Sequence, residues 1–571
     1  MKPILNHIVW ALCGVLCGSA GNVHSNTLVV TSTADGGAGS LRATVAAAAA
    51  GDTINFSVTG KIVLTSGPIV VNKPLTIAGP GPKQLTISGN HVSRVITVSD
   101  GNPATDSPVS ISGLTLADGY IGNCITQSLS SGGAIGSSES LMLSNVVVRD
   151  SFASANGGGL NYGAIGSGLN LVILNSAFIN NHAGCIGATN TATGGGLNIG
   201  VDGAATPTVT ATVLIQDTDV EANWATRHGG GIRLTVPGSI VLHNVRVRGN
   251  HAHGFGGGIA AMYSNAGIPL PTINIDSSEI SFNSAGNSLV GGGGLVAFND
   301  ELGMQTAAAA SNVFLRNSTI SGNAVRGDPA SGSGAPGAGI SVYGNTKLVV
   351  QNSTIAWNQS TQATAAPSQA GGIYRQIGVQ SGTSTANFEG TVSIESSIFS
   401  DNLGTIGPED IGQSAEPFAN PYTLTKSLFR YPGSIAPGAG NIVSQDPLLL
   451  PLGDYGGPTA THALASGSQA IDAGSNPAGA AYDQRGLPRV VNGTADMGAF
   501  ESGNVIPLGC LDADANGSID ALTDGLIFMR AMFGMTGTSV TTAALGANAT
   551  RTTWQAIRGF LNANCGSSFA P

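Results

Sequence analysis

The segment from Asn223 to Ile259 contains one phrase twice. Asn223 to Ile232 reads Asn-Trp-Ala-Thr-Arg-His-Gly-Gly-Gly-Ile, and Asn250 to Ile259 reads Asn-His-Ala-His-Gly-Phe-Gly-Gly-Gly-Ile. Between them runs Ile240-Val-Leu-His-Asn-Val-Arg-Val247, with apolar residues at alternate positions. A unit this short buries its apolar face only against another copy of itself, so the repeat predicts a stack of like coils.

The same punctuation marks the chain from about 101 to 445. Glycine pairs precede Ala134, Leu160, Leu197, Ile232, Ile259, Leu295 and Ile373, and Ala338-Gly339 precedes Ile340. Each mark leads into an alternating strand and then an asparagine, at 181, 223, 250, 283, 323, 358 and 402. Glycine at a turn supplies positive φ. An asparagine at the same place in each coil predicts a side-chain ladder up the stack. Spacing between marks is uneven, which predicts variable loops projecting from one side.

Composition narrows the class. Among 571 residues 84 are Gly, only 9% are charged and 5% aromatic, and the formal net charge is −10. Many short strands joined by tight turns fit this better than helices, so the fold class is all-β. An acidic chain without a Lys/Arg stripe excludes a nucleic-acid partner. Residues 1–25 read as a secretory signal, with Lys2, an apolar core from Ile8 to Cys17, and Val23-His24-Ser25 before the cleavage point; that core is too short to span a bilayer. After cleavage Cys124, Cys185, Cys510 and Cys565 remain, an even set in an oxidising compartment.

Residues 26–100 predict an N-terminal cap: a strand over Thr27 to Thr31, a short helix after the N-cap Ser40, and alternating strands at Thr53 to Val63, Ile69 to Val71, Leu75 to Ile77 and Leu85 to Ile87. This combination resembles the start of bacterial secreted right-handed parallel β-helix proteins, the pectin-lyase-like shape. The pairing of Gly-Gly-(Ala/Leu/Ile) with Phe178-Ile-Asn-Asn181 and Phe399-Ser-Asp-Asn402 resembles polymorphic outer-membrane protein repeats. Residues 446–503 change character. Asp446-Pro-Leu, Gly456 to Leu464, Gly467 to Gly474, Asp483 to Arg489 and Asp496 to Glu501 resemble, in that order, the choice-of-anchor region of bacterial β-helices. The resemblance implies that this region closes the stack and precedes an interchangeable anchoring module.

That module is 504–571. Asp512, Asp514, Asn516 and Asp520 fall at loop positions 1, 3, 5 and 9, with Gly517 at 6 and Ile519 at 8 as a core residue, followed by a helix from Ala521 to Phe533. Hard cations need oxygens converging around a sharp turn, so the spacing predicts a structural Ca²⁺ site. The loop resembles a dockerin or EF-hand. It departs at position 12, which is Thr523; the carboxylate comes one later, at Asp524, which we count as the fifth ligand. A second helix spans about Thr552 to Leu561, and a Cys510–Cys565 disulfide would staple a unit too small to rest on its core alone. Cys124 and Cys185 are a second candidate pair.

Candidates for catalysis are Arg227, His228, Arg233, His251 and His253. Cleavage of an acidic polysaccharide by elimination needs a base for the proton α to the carboxyl, and an Arg or Ca²⁺ for the developing charge; a hydrolase needs paired carboxylates. Aligning the two phrases gives these residues structural duties as well. It sets His228 against Phe255, stacks Asp219 on Arg246 and then Glu279, and stacks Glu221 on Arg248, as opposite-charge ladders on an outer face. His462, Asp472, Asp483, Arg485, Arg489, Asp496 and Glu501 read as a salt-bridged cap that ends the stack. Two functions follow from different classes: a secreted or cell-surface scaffold binding an extracellular polysaccharide or surface protein, held by its C-terminal module to a cohesin-like partner, or a polyuronate lyase. A spacer without a specific ligand is the third.

Overall fold

In the computed structural model the described residues are 25–126, 128–163, 168–185, 192–200, 210–263, 271–286, 290–299, 311–327, 336–361, 369–376, 390–414, 422–433, 435–503, 511–516, 518–564 and 569. Residues 1–24 of the signal read at 1–25, Gly517, Cys510 and Cys565 lie outside them, and the proposed Cys510–Cys565 pair with them. The chain divides into two compact units, Met1–Ser502 and Gly503–Pro571.

The first unit is an all-β right-handed parallel β-helix. Its strands form three parallel sheets, of 24, 11 and 8 strands among the described residues. The coil that carries the repeated phrase shows the plan. Strands Gly238–His243 and Arg246–Arg248 join the long sheet, His251–Ala252 the eight-stranded sheet and Ile259–Tyr263 the eleven-stranded sheet. Register puts like on like. Leu197 pairs with Ile232, Ile232 with Ile259 and Ile259 with Leu295, all at most 1% exposed. Each such side chain contributes roughly 1.5–3 kcal/mol by leaving water, and a slip of one residue would turn the whole column outward.

The helix Leu41–Ala47 covers the first coils as expected, its N-cap Ser40 accepting from Ala43 N–H at 3.2 Å and its Leu41 and Val45 buried. Glycines in the repeated phrase serve two needs. Gly229 turns the chain at φ 64°, while a Cβ on Gly230 would lie 2.4 Å from the carbonyl oxygen of Gly257 in the next coil.

The asparagine ladder is present and continuous. Asn181, Asn223, Asn250, Asn283, Asn323, Asn358 and Asn402 are at most 1% exposed. Each Nδ2 from Asn181 to Asn358 donates to Oδ1 of the next asparagine at 2.8–3.0 Å. The same group donates to a backbone carbonyl of a neighbouring coil, as Asn250 Nδ2 does to Val220 at 2.8 Å. Asp410 ends the series, accepting from Asn402 Nδ2 at 2.8 Å. Sequence reasoning missed a second ladder: the backbone N–H groups of Val245, Ser278, Ser318, Ser353 and Ser397 donate in turn to hydroxyls of Ser278, Ser318, Ser353, Ser397 and Ser427.

The closing region corrects the expectation of an end cap. It runs back along the outer face of the long sheet: Thr459 Oγ1 donates to Ser277 O, Gln484 bonds Thr319, Ala499 N–H donates to Thr354 Oγ1 and Gly498 N–H to Ser396 O. Its Leu464, Ala470 and Met497 pack onto Ile398 and Leu428 of the coils. The outer face there is built from Ser and Thr because another layer of chain lies on it. Its ion pairs are as expected, Arg485 with Asp483 at 2.7 Å and Arg489 with Glu501 at 3.5 Å, all four side chains at most 2% exposed.

In the second unit, helices Asp524–Met532, Thr538–Thr541 and Trp554–Asn564 enclose a core of Ala513, Ile527, Val540, Trp554, Ile557 and Leu561.

Candidate functional site

The catalytic candidates sit around the turn between the eight- and eleven-stranded sheets, and the stack has engaged most of them. His228 is 5% exposed and lies against Phe255 with ring centroids 3.5 Å apart, in the register that the repeat predicts. Its Nδ1 accepts from Phe255 N–H at 3.3 Å. Burial, with Arg227 and Arg233 nearby, pushes its pKa down to about 2. A ring that holds a proton so weakly is a poor general base at neutral pH.

His251 belongs to a file of rings on the eight-stranded sheet: Tyr120, Phe152, His182, Trp224 and His251, with successive centroids 4.8, 5.4, 4.1 and 6.2 Å apart. Tyr120 stacks on Phe152 and Trp224 on His251, while His182 is tilted by 46° and 41° to its two neighbours. His251 Nδ1 also meets Ser284 Oγ at 2.8 Å, and burial lowers its pKa. His253 and Arg227 are exposed. Arg233 stands on the outer face of the eleven-stranded sheet, donating from Nη1 to Asn198 Oδ1 at 3.0 Å; Asn198 in turn donates to Asn161 Oδ1 at 2.7 Å. The candidates therefore lie along two coils, with Arg227 and Arg233 near a buried, neutral His228 and His253 near His251.

The charge ladder keeps its predicted register but not its exposure. Asp219 pairs with Arg246 and Arg246 with Glu279, while Glu221 aligns with Arg248. Arg246 Nε lies 3.6 Å from Asp219 and 3.7 Å from Glu279. The Glu279 side chain is only 1% exposed, because the closing region covers it and Ala460 N–H donates to its Oε2 at 3.0 Å.

Cys124 and Cys185 form a disulfide with Cα atoms 5.5 Å apart. They follow strands Tyr120–Ile121 and His182–Ala183, between which Phe152–Ala153 pairs with both, so the bond spans two steps of the stack.

In the second unit, Asp512, Asp514 and Asp524 are buried and offer carboxylate oxygens all within 4.8 Å of one another. Ligands on opposite sides of a Ca²⁺ at about 2.3–2.6 Å are at most about 5 Å apart, so the spread suits that ion. Asp524 opens the helix Asp524–Met532, and the first helical turn brings it to the loop despite its displacement by one position. Two expectations are corrected. Asp520 is exposed and outside the group, and Ile519 is 46% exposed rather than core. Asn516 donates its N–H to Asp512 Oδ1 at 3.0 Å and remains beside the cluster.

Two concave places were not foreseen. A groove of about 330 Å³ near the N-terminal coils is lined by Arg94, Thr97, Ser99, Ser131, Ser138 and Asn161 among others. A cavity of about 240 Å³ lies between the long sheet and the closing region, around His243, Asp276 and Asn317. The signal for the second was a recurring Asn-Ser-Thr, at 317–319 and 352–354, which marks a corner of each coil. No helix among the described residues is long and apolar enough to cross a membrane.

No family model and no curated protein matches this chain. Among solved structures, pectate lyase Pel9A is similar at 14% identity, over 84% of this chain and 97% of its own, with a TM-score of 0.36. The A-module of the Azotobacter vinelandii mannuronan C-5 epimerase AlgE4 is similar at 12% identity, over 65% and 91%, with a TM-score of 0.31. Similarity at this level leaves the chemistry of this chain to its own residues.

Proposed function

We propose that this chain is an extracellular glycan-binding β-helix, kept at its place of action by a Ca²⁺-dependent C-terminal unit that docks on a cohesin-like partner. The observation that carries binding over polyuronate cleavage is the state of the best candidate base. His228 is buried against Phe255, uses Nδ1 as an acceptor and is held neutral far below its usual range. Arg233 donates into an amide file with Asn198 and Asn161. The hydroxyl- and amide-lined groove near Arg94 offers the exchangeable hydrogen bonds that sugars use. Asp512, Asp514 and Asp524 would hold the Ca²⁺, drawing the loop onto the first helix.

A polysaccharide panel tests the reading, with retention on insoluble polymer and absorbance of unsaturated uronate followed together. Retention without product is expected. Product from the wild type that disappears in Arg233→Ala would replace binding by lyase chemistry. For the C-terminal unit, Ca²⁺ should raise the melting temperature and EDTA reverse it. An Asp514→Ala chain that melts like the wild type in both conditions would remove the metal.

A further inference from the structure

The cavity between the long sheet and the closing region has a polar floor and a less polar wall. Its floor comes from one corner of three successive coils. His243 Nδ1 lies 3.1 Å from Asp276 Oδ2, Ser277 Oγ donates to the same oxygen at 3.3 Å, and Asn244 Nδ2 donates to Asp217 Oδ1 at 3.0 Å. Asn317 completes it. That residue is 3% exposed, donates from Nδ2 to Asp276 Oδ1 at 3.4 Å, and has no hydrogen-bond partner at Oδ1. Pro458, Ala480, Ala481 and Tyr482 of the closing region form the wall together with Asp483, Gln484 and Arg485, with Tyr482 39% exposed.

One coil further on, the closing region lies directly on the equivalent residue: Asn352 Nδ2 donates to Ser475 O at 2.8 Å, while its Oδ1, like that of Asn317, has no hydrogen-bond partner. Over Asn317 it stands off and leaves the cavity. The space, about 240 Å³, is below the ~300–1,000 Å³ of pockets that enclose drug-sized ligands, so its occupant is one small ring. Donors and acceptors on the floor, and on the wall an aromatic and alanines beside polar side chains already engaged with one another, suit a ring with hydroxyls at its rim and C–H groups on its face. Charge selects further. Asp276 already meets His243, Ser277 and Asn317, and the cation of the wall, Arg485, already donates to Asp483, Tyr455 O and Glu501 O. A ligand carboxylate would find no uncommitted cation here.

We propose that this cavity binds a single uncharged sugar residue, with Asn317, Asp276 and His243 meeting its hydroxyls and Tyr482 its face. The proposal rests on the glycan-binding reading and gives it a site and a substrate class.

The test is saturation-transfer NMR on the full chain with the methyl glycosides of glucose, galactose and mannose, N-acetylglucosamine, and galacturonate. Two variants accompany it: Ala481→Trp, which fills the mouth from an exposed position, and Tyr482→Ala. At least one neutral sugar should receive saturation, galacturonate should not, and both variants should weaken the signal at least tenfold at an unchanged melting temperature. Transfer to none of the neutral sugars, equal transfer to galacturonate, or a signal that survives Ala481→Trp would overturn the site. Retention on insoluble polysaccharide separates the two ideas: retention undiminished by Ala481→Trp sinks the site and leaves glycan binding standing, whereas loss of all retention in the wild type sinks the broader reading.

Discussion

At one corner of each coil a buried asparagine hands its side chain to the asparagine of the next coil. At another, residues such as Asn244, Ser277, Asn317 and Asn352 turn the chain at φ between 44° and 53° and leave the next backbone N–H to a serine hydroxyl. Both corners satisfy backbone groups that a tight bend would otherwise strand. They differ in what is left over. The first uses both polar atoms of every side chain, and the side chain of Asn250 takes part in four bonds of 2.8–3.0 Å. Asn317 makes one long bond and keeps an oxygen unmatched beside a cavity. Complete satisfaction marks a place whose duty is to hold the stack; an incomplete corner next to open space marks a place where something else is received.

Breaking the two corners should therefore cost different amounts. Asn250→Ala leaves Asn223 N–H without an acceptor and Val220 O and Asn283 Oδ1 each short of a donor, all buried, for a loss of about 3–5 kcal/mol. Asn317→Ala removes one long hydrogen bond and places alanine at φ 44°, costing roughly 1–2 kcal/mol. Guanidinium unfolding of the two variants measures the difference; similar midpoints would show that the corners carry equal load.

The contrast also explains what the sequence disclosed. A ladder asparagine is needed in every coil, so it recurs, and its place before each turn could be read from 181 to 402. The core face was legible for the same reason, since Leu197, Ile232, Ile259 and Leu295 keep one register. Serine hydroxyls at the other corner are ordinary enough in a chain of this composition to hide. The position of the closing region was hidden by distance, because Thr459 meets Ser277 across 182 residues and no local pattern records such a contact. That is why Glu279 was taken for an exposed rung. Asp520 and Ile519 misled because ligand and core positions were read from loop spacing alone, and both side chains are exposed.

The top of the asparagine ladder offers a gentler break. Asp410 takes the asparagine's place there, accepting from Asn402 Nδ2 and Tyr431 N–H, and burial pushes its pKa up to about 7. A raised acid binds its proton more tightly folded than unfolded. Its contribution is fully present below the unfolded value near 3.8 and is lost as pH rises through about 7. His228, His462 and Glu501 titrate too, but cancel when wild type is compared with Asp410→Asn. From pH 5 to pH 7 the wild type should lose stability relative to that variant, with a slope of at most about 1.4 kcal/mol per pH unit. Parallel profiles would mean that Asp410 is ionised throughout.

The smallest effect isolates cover from charge. Arg246 lies at nearly equal distances from Asp219 and Glu279, so a count of ion pairs would give the two carboxylates equal weight. Their surroundings do not. The Asp219 side chain is 42% exposed, and an exposed pair contributes about 0.2–1 kcal/mol that salt screens. Glu279 sits under the closing region with Ala460 N–H on one oxygen and Ser281 Oγ on the other, so its neutralisation disturbs buried bonds. Glu279→Gln should cost about 1–3 kcal/mol, nearly independent of salt. Asp219→Asn should cost under about 1 kcal/mol at roughly 0.1 M salt and almost nothing at roughly 1 M, where the screening length falls to about 3 Å. Equal costs with the same salt dependence would mean that the closing region leaves this face in solution, and the cavity beside His243 would then be open surface.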